Sequence, residues 1–425
     1  MVSELLCPTS TEGQGQVPQP QRFLARQPIF NGRRAVIGYE LLFRAGWANC
    51  FQSLSGNDSD QATRQTLDNC CLNLGIDSLA NNELAFVNCT RESLVNKLVT
   101  LLPPKTTVLE ILETVEPDPE LVEACIELRD MGYVFALDDF LPRPELQPLI
   151  DIASYIKVDF RLSDAESRHE IQQMLRGSGI ALLAEKVEDQ EEFAIARSEG
   201  YEFFQGYFFC RPKIMANREI PPNRMNYLRL LIELTRTPLN LREVMRIVQS
   251  EASLCYRLLL LANSPIWGVR GDVTSVRHAF MLVGENRFRT LVSVAASCVL
   301  SQDQPSALIS LSLERARFCE LLAPHVGQDP TEQFMLGLLS LVDAMLETTM
   351  EVVAKSLPLR TEAKDALLGA VNPVAVPLCL IRSFESGAWS NCSCAATDLG
   401  VSEEILAGLY MDAVKWATET LATNR

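Results

Sequence analysis

Between residues 35 and 209, short apolar runs return again and again, each separated from the next by about enough chain for one helix. The runs are AVIGYELLF (35–43), ELAFVN (83–88), TVLEIL (107–112), YVFALDD (133–139), SYIKVD (154–159), ALLAEKV (181–187) and EFFQGYFF (202–209). Runs this short, rich in β-branched and aromatic residues, read as buried strands rather than helices. Amphipathic stretches lie between them, such as QATRQTLDNCCLNLG (61–75) and PELVEACIELRDMG (119–132). The second of these stops on a glycine, as helices often do. Strand then helix, seven times in under 200 residues, predicts an α/β fold of the TIM-like β/α barrel type. An open doubly wound sheet is the competing architecture.

The chain of 425 residues is too long for one ordinary core. The alternation ends near RPKIMANREIPPNR (211–224), where three prolines break the pattern. Beyond it the grammar is helical. MNYLRLLIELTR, NLREVMRIVQS, ASLCYRLLLLAN and NRFRTLVSVAASCVL repeat apolar residues at spacings of three and four. The expected layout is a disordered leader (1–21), a barrel domain (22–213), a linker (214–224) and an all-α helical domain (225–425).

Composition closes off several functions. A net charge of −16 argues against binding DNA or RNA duplexes through a broad basic face. It leaves room for a small phosphate ligand, because a bound metal inverts the local field. Thirteen scattered cysteines include no CxxC pair, so they read as reduced packing residues of a cytoplasmic protein. The N-terminus lacks a basic region followed by an apolar stretch, so no signal peptide is expected. No uninterrupted apolar run reaches ~18 residues, so no membrane span is expected.

The ends of the expected strands are unusual. Glu40, Asn88, Glu110, the pair Asp138–Asp139, Lys157 with Asp159, Glu185 with Glu188, and Gln205 mark successive strands, and Glu113 follows Glu110 by three. In a barrel the C-terminal strand ends share one mouth, where active sites sit. A polar residue at one strand end is ordinary. A polar residue at all of them, mostly acids, is costly unless the charges are paired or metal-bound. Oxygen ligands without histidine or cysteine favour Mg²⁺ or Mn²⁺. Adjacent aspartates suit two ions ~4 Å apart, an arrangement that hydrolyses phosphoesters.

These residues also carry a resemblance. RQPIF (26–30), ELLFR (40–44), FVN (86–88), LEILE (109–113), LDDF (137–140), IKVD (156–159), AEKVE (184–188) and FQGYFFCRP (204–212) follow the order of motifs in the EAL domain. The barrel thus resembles the bacterial cyclic-di-GMP phosphodiesterase family. The resemblance implies that Glu40, Asn88, Glu110 and Asp138 bind one metal, and that Asp138 and Asp139 bridge to a second. It implies that Lys157 orients the attacking water, and that Glu185 holds water or the second metal. Gln27, Arg44, Glu188 and Gln205 would contact ligand or order that shell, and Glu113 would brace the loop after Asp139. It also implies barrel dimers.

The chain departs from the family in two places. Leu141 stands where the family has glycine, and Pro142, Pro144 and Pro148 stiffen a loop that is otherwise flexible and regulatory. Lys186 replaces another glycine.

In the second half, residues 251–268, 274–292 and 334–347 resemble an HDOD domain, a relative of the HD metallohydrolases without their metal ligands. None of His169, His278 and His325 is followed by aspartate, and Ser340 and Leu341 stand where an HD enzyme has His-Asp. A protein-binding module is expected there. Two readings follow: a metal-dependent cyclic-di-GMP phosphodiesterase, or an inactive barrel that binds cyclic di-GMP or a protein as a scaffold. An enolase-type lyase fits poorly with the Asp-Asp pair, the lone Lys157 and the Gln-Gly-Tyr motif.

Overall fold

The structure is a computed structural model, and it describes residues 24–43, 79–211, 222–268, 272–302 and 304–422. The leader (1–21), the helical pattern at 61–75, Arg44 and most of the linker lie outside the described residues.

Eight strands among the described residues close into a barrel: β1 (Leu24–Asn31), β2 (Val36–Phe43), β3 (Leu84–Cys89), β4 (Thr107–Ile111), β5 (Val134–Leu137), β6 (Tyr155–Asp159), β7 (Ala181–Glu185) and β8 (Phe203–Gln205). The sequence pattern supplied seven of these. β1 is the addition, and it runs antiparallel to both β2 and β8, while the rest are parallel neighbours. Its alternation is hidden by Arg26, Gln27 and Pro28 in succession. The last run is also shorter as a strand than its apolar length implies. Gly206, at φ +143°, ends it, and a Cβ there would lie 2.0 Å from the Val187 carbonyl oxygen. A 3₁₀ turn, Tyr207–Cys210, follows.

The principal barrel helices are α1 (Pro119–Asp130), α2 (Ala165–Met174) and α3 (Gln190–Ser198). Each starts on an aspartate whose carboxylate accepts a backbone N–H of the first turn: Asp118 from Leu121, Asp164 from Ser167, Asp189 from Glu191 and Glu192. Such caps contribute ~1 kcal/mol apiece by satisfying donors the helix leaves open.

Successive strand residues point to opposite faces, so the interior is built in layers two residues apart. One layer is apolar: Ile29, Phe86, Val108, Ala136 and Leu183, all buried. Gly38 belongs to the same level of β2, where a Cβ would sit 3.1 Å from the Phe86 ring. Outward-facing residues such as Leu109, Phe135, Ile156 and Phe204 join the larger core beneath the helices.

The second half is helical: α4 (Pro222–Thr235), α5 (Leu241–Ser250), α6 (Ala252–Ala262), α7 (Val276–Leu300, broken at Gly284), α8 (Ser306–Leu322), α9 (Pro330–Leu339), α10 (Val376–Glu385), α11 (Trp389–Leu399) and α12 (Glu403–Ala422). Helix α8 is its axis, packed against α9, α10 and α12. Helix α10 also packs against β1 of the barrel. No helix among the described residues is long and apolar enough to cross a membrane.

Candidate active site at the barrel mouth

Two residues beyond the apolar layer, the interior becomes polar. The step from Phe86 leads to Asn88, from Val108 to Glu110, from Ala136 to Asp138 and from Leu183 to Glu185. Gly38 leads to Glu40, and on antiparallel β1 the step runs backwards, from Ile29 to Gln27. Register sets them side by side: Gln27 opposite Glu40, Asn88 opposite Glu110, Asp159 opposite Glu185.

Lys157 stands at the centre and is fully buried. Its Nζ lies 2.8 Å from Glu110 Oε1, 2.8 Å from Asp138 Oδ1, 2.9 Å from Glu185 Oε1 and 3.6 Å from Glu40 Oε2. Four carboxylates thus surround one ammonium. Burial pulls the lysine down, but Asp138, Glu110, Glu185 and Glu40 more than offset it and hold the ammonium well above the ordinary lysine range. The acids bear the cost. Burial pushes Glu110 well above the ordinary carboxyl range against the pull of Lys157. Burial likewise pushes Glu185 up to about 8, with Lys157 opposing.

Glu40 is held from both sides. Gln205 Nε2 donates to its Oε2 at 2.6 Å, and Asn88 Nδ2 donates to its Oε1 at 3.0 Å. Asp139 sits beside the cluster with φ +38°, a left-handed conformation that a non-glycine residue adopts at a cost of order 1 kcal/mol. Burial and the neighbouring Asp138 charge raise its carboxyl.

Several acceptors here lack donors. Asn88 Oδ1, Glu110 Oε2, Asp139 Oδ1 and Gln205 Oε1 are buried without a hydrogen-bond partner. Glu110 Oε1 touches the ammonium without a hydrogen bond's alignment. Buried acceptors left over around surplus negative charge are the signature of a cation site. Among the described residues, no three acidic, cysteine or histidine side chains hold one ion as they stand. The Lys157 ammonium occupies the point on which the carboxylates converge, and Asn88 contributes an amide oxygen instead. The all-oxygen donor set and the orphaned acceptors fit a hard divalent cation.

The remaining expected residues lie around this cluster or beyond it. Glu188 lies outside the cluster, its Oε2 paired with Arg161 Nη2 at 2.7 Å and Arg211 Nη2 at 2.6 Å. The carboxylate of Glu113 is exposed, and its backbone carbonyl, not its side chain, meets Arg143 Nη2 of the loop at 3.4 Å. Gln27 accepts from Gln205 at 2.9 Å and donates to the Glu385 carbonyl of the helical half at 2.9 Å. Arg44 lies outside the described residues.

The proline loop is short and ordered locally. Pro144 opens a 3₁₀ turn, Pro144–Leu146, and Pro148 lies in the first turn of the helical segment Gln147–Ile150, positions that need no N–H. Beside it lies a cleft of about 400 Å³ lined by Glu113, Asp138, Asp139, Leu141, Arg143 and Leu162.

In the sequence Lys186 stands out only as a replaced glycine. Its ammonium hydrogen-bonds Asp159 and lies 3.7 Å from Asp139 Oδ1, while its backbone takes φ +55°. A lysine in a conformation that suits glycine is the available signal. Nothing in the sequence points to the Glu385 carbonyl.

The sequence pattern of the EAL domain matches residues 14–212, and that of the HDOD domain residues 220–364. The uncharacterized protein YuxH of Bacillus subtilis is 35% identical over 403 residues, covering 93% of this chain and 97% of that one. The cyclic di-GMP phosphodiesterase CdgJ of Vibrio cholerae is 33% identical over 401 residues, covering 93% of this chain and 92% of the relative. Among solved structures, the Klebsiella pneumoniae BlrP1 manganese/cyclic-di-GMP complex aligns at 22% identity and a TM-score of 0.34, over 46% of this chain and 57% of that one. The EAL enzyme Bd1971, in its form bound to cAMP and cyclic di-GMP, aligns at 22% identity and a TM-score of 0.33, over 45% of this chain and 62% of that one. The chain thus spans less than two thirds of either solved protein. Two domain patterns in tandem and full-length relatives place this chain in the family of proteins that join an EAL barrel to an HDOD domain.

Proposed function

We propose that the barrel mouth hydrolyses one phosphodiester bond of cyclic di-GMP, giving the linear dinucleotide, with two Mg²⁺ or Mn²⁺ ions. One observation carries the reading: four carboxylates around a single buried ammonium, with acceptors left over, at the strand ends where barrel chemistry occurs. Glu40, Asn88, Glu110 and Asp138 would hold one ion, and Asp138 with Asp139 would reach the other. Bound there, the ions supply a nucleophilic water at neutral pH and neutralise charge on the phosphate.

The chain's own residues do the rest. Gln205 and Asn88 fix the rotation of the Glu40 carboxylate by a hydrogen bond to each oxygen. Lys157 donates to Asp138 and lies within 2.9 Å of Glu110 and Glu185, and it keeps one positive charge beside the place where phosphate charge grows. Glu185, pushed up to about 8, is suited to hold or release a proton at the attacking water. The helical half then serves as a protein-binding module, the barrel as a dimerisation surface, and the cytoplasm as the place of action.

Incubation of the purified chain with cyclic di-GMP and Mn²⁺ tests this, with the linear dinucleotide as readout. Turnover is expected, and Glu40→Ala should lower it on the order of 10²–10³-fold. Turnover that survives this substitution would remove Glu40 from the site. One observation favours a second reading, a binding scaffold. The Lys186 ammonium already neutralises Asp159 and approaches Asp139, where a second ion would sit. Cyclic di-GMP binding without turnover in the same assay would select it.

A further inference from the structure

Arg26 and Gln27 are consecutive on β1, so their side chains leave opposite faces of the strand. Both end on the helical half. Arg26 points outward, and its Nη2 donates to Glu314 Oε1 at 2.7 Å, with the two side chains 4% and 6% exposed. Its Nη1 donates to the Leu79 carbonyl at 2.6 Å, and Ser310 Oγ donates to the same Glu314 oxygen at 2.8 Å. Gln27 points to the mouth, where its Nε2 donates to the carbonyl of Glu385 at 2.9 Å.

That carbonyl belongs to the last residue of α10. The helix's own C-terminal bonds use the carbonyls of Arg382, Ser383 and Phe384, so the Glu385 oxygen is one of the acceptors a helix end leaves open. The Glu385 carboxylate is fixed separately by Arg315, whose Nε and Nη2 donate to its two oxygens at 2.8 and 2.7 Å. Arg315 follows Glu314 on α8. One pair of helices therefore grips two successive residues of β1.

Behind Gln27 the chain of hydrogen bonds continues. Gln27 Oε1 accepts from Gln205 Nε2 at 2.9 Å, and the same amide donates to Glu40 Oε2 at 2.6 Å. The opposite setting of the Gln205 amide would turn its oxygen onto the Glu40 carboxylate, so the direction of the chain is determined.

Resting on the cation-site reading above, we infer that the helical half is a positioning element for the barrel's metal ligand. The sequence Glu385 carbonyl, Gln27, Gln205, Glu40 couples the docking of α10 to the orientation of the Glu40 carboxylate. A protein that draws α10 away from β1 would free Gln27 and lower the affinity of the mouth for a divalent cation. Hydrogen-bond partners behind metal ligands commonly set affinity by 10–100-fold.

Calorimetric titration of the full chain with Mn²⁺, without nucleotide, tests this. Gln27→Leu keeps the volume and removes both hydrogen bonds, and it should weaken Mn²⁺ binding about 10-fold. Glu314→Gln loosens the clamp on the far face of β1 and should weaken Mn²⁺ binding in the same direction. The double variant should bind no more weakly than Gln27→Leu alone, since both act on one link. A residue that merely touches nucleotide would leave these metal affinities unchanged, and an unchanged Gln27→Leu overturns the coupling. A weakened Gln27→Leu beside an unchanged Glu314→Gln overturns the part assigned to the helical half. Should Glu314→Gln lose the native circular dichroism spectrum, Gln27→Leu at the half-buried rim decides. A wild-type chain that binds no Mn²⁺ removes the cation-site reading itself, an outcome distinct from variants that bind as wild type does.

Discussion

Two regions among the described residues bury ions in opposite ways. In the helical half and at its seam with the barrel, Arg26, Arg289 and Arg315 are buried and each has an acid of its own. Arg315 grips both oxygens of Glu385, and Arg26 meets Glu314. At the barrel mouth, four carboxylates share one lysine, and several acceptors have no donor. Matched burial, with bidentate geometry, is what a structural ion pair needs to offset its desolvation. Surplus burial of one sign is unfavourable until a ligand of the other sign arrives. The contrast separates a fastening from a candidate cation site without reference to any relative.

The largest test of this contrast is Glu385→Gln. It leaves Arg315 buried with half its partner, and it should lower the stability of the full chain by about 3–5 kcal/mol in urea unfolding. It keeps the Glu385 backbone carbonyl, so any effect on Mn²⁺ affinity should follow the loss of α10 docking. A change within ±0.5 kcal/mol would mean that the pair is dispensable, and the contrast would lose its structural side.

Much of the mouth was legible because strand periodicity leaves no choice. Once Phe86, Val108 and Leu183 face inward, Asn88, Glu110 and Glu185 must too. β1 was illegible as a strand, because Arg26 and Gln27 point to different partners in the helical half and Pro28 interrupts the pattern between them and Ile29. Glu188 shows its place in a motif but not its partners, Arg161 and Arg211. Those arginines are remote from one another in sequence, and only the folded chain brings them together. The Gln27–Glu385 contact is the extreme case. It spans 358 positions and ends on a backbone carbonyl, which any residue possesses.

Asp343 gives a smaller test on the helical side. It has no cation of its own, and its Oδ1 is buried without a hydrogen-bond partner. Burial pushes its carboxyl up to about 6 from the ordinary 3.8. The native state therefore keeps this proton at pH values where the unfolded chain has released it, so stability from this group is lost as pH rises from about 4 through 6. Asp343→Asn should raise stability at pH 7 by about 2 kcal/mol and change it little at pH 4. Equal effects at both values would show that the native carboxyl does not titrate between them, contrary to the burial of Asp343 without a cation of its own.

The smallest effect carries the sharpest sign. Glu110 is fully buried at the mouth, with Oε2 unpartnered and Oε1 only in contact with Lys157. In a matched pair, removing the acid exposes the cation's desolvation, as at Glu385. At the mouth, removing one acid of four leaves Lys157 still beside Asp138 and Glu185, at 2.8 and 2.9 Å. It also replaces a carboxyl whose charged form burial disfavours by an amide that can donate to the remaining carboxylates. Glu110→Gln should therefore stabilise the metal-free chain, by about 1 kcal/mol. The same substitution should abolish most of the rise in melting temperature that Mn²⁺ gives the wild type, because binding to the native state is what produces that rise. Opposite signs for one residue, with and without the ion, are what a site built around missing positive charge requires. A Glu110→Gln chain that is destabilised without metal would instead place Glu110 with Glu385, as the partner of a structural ion pair.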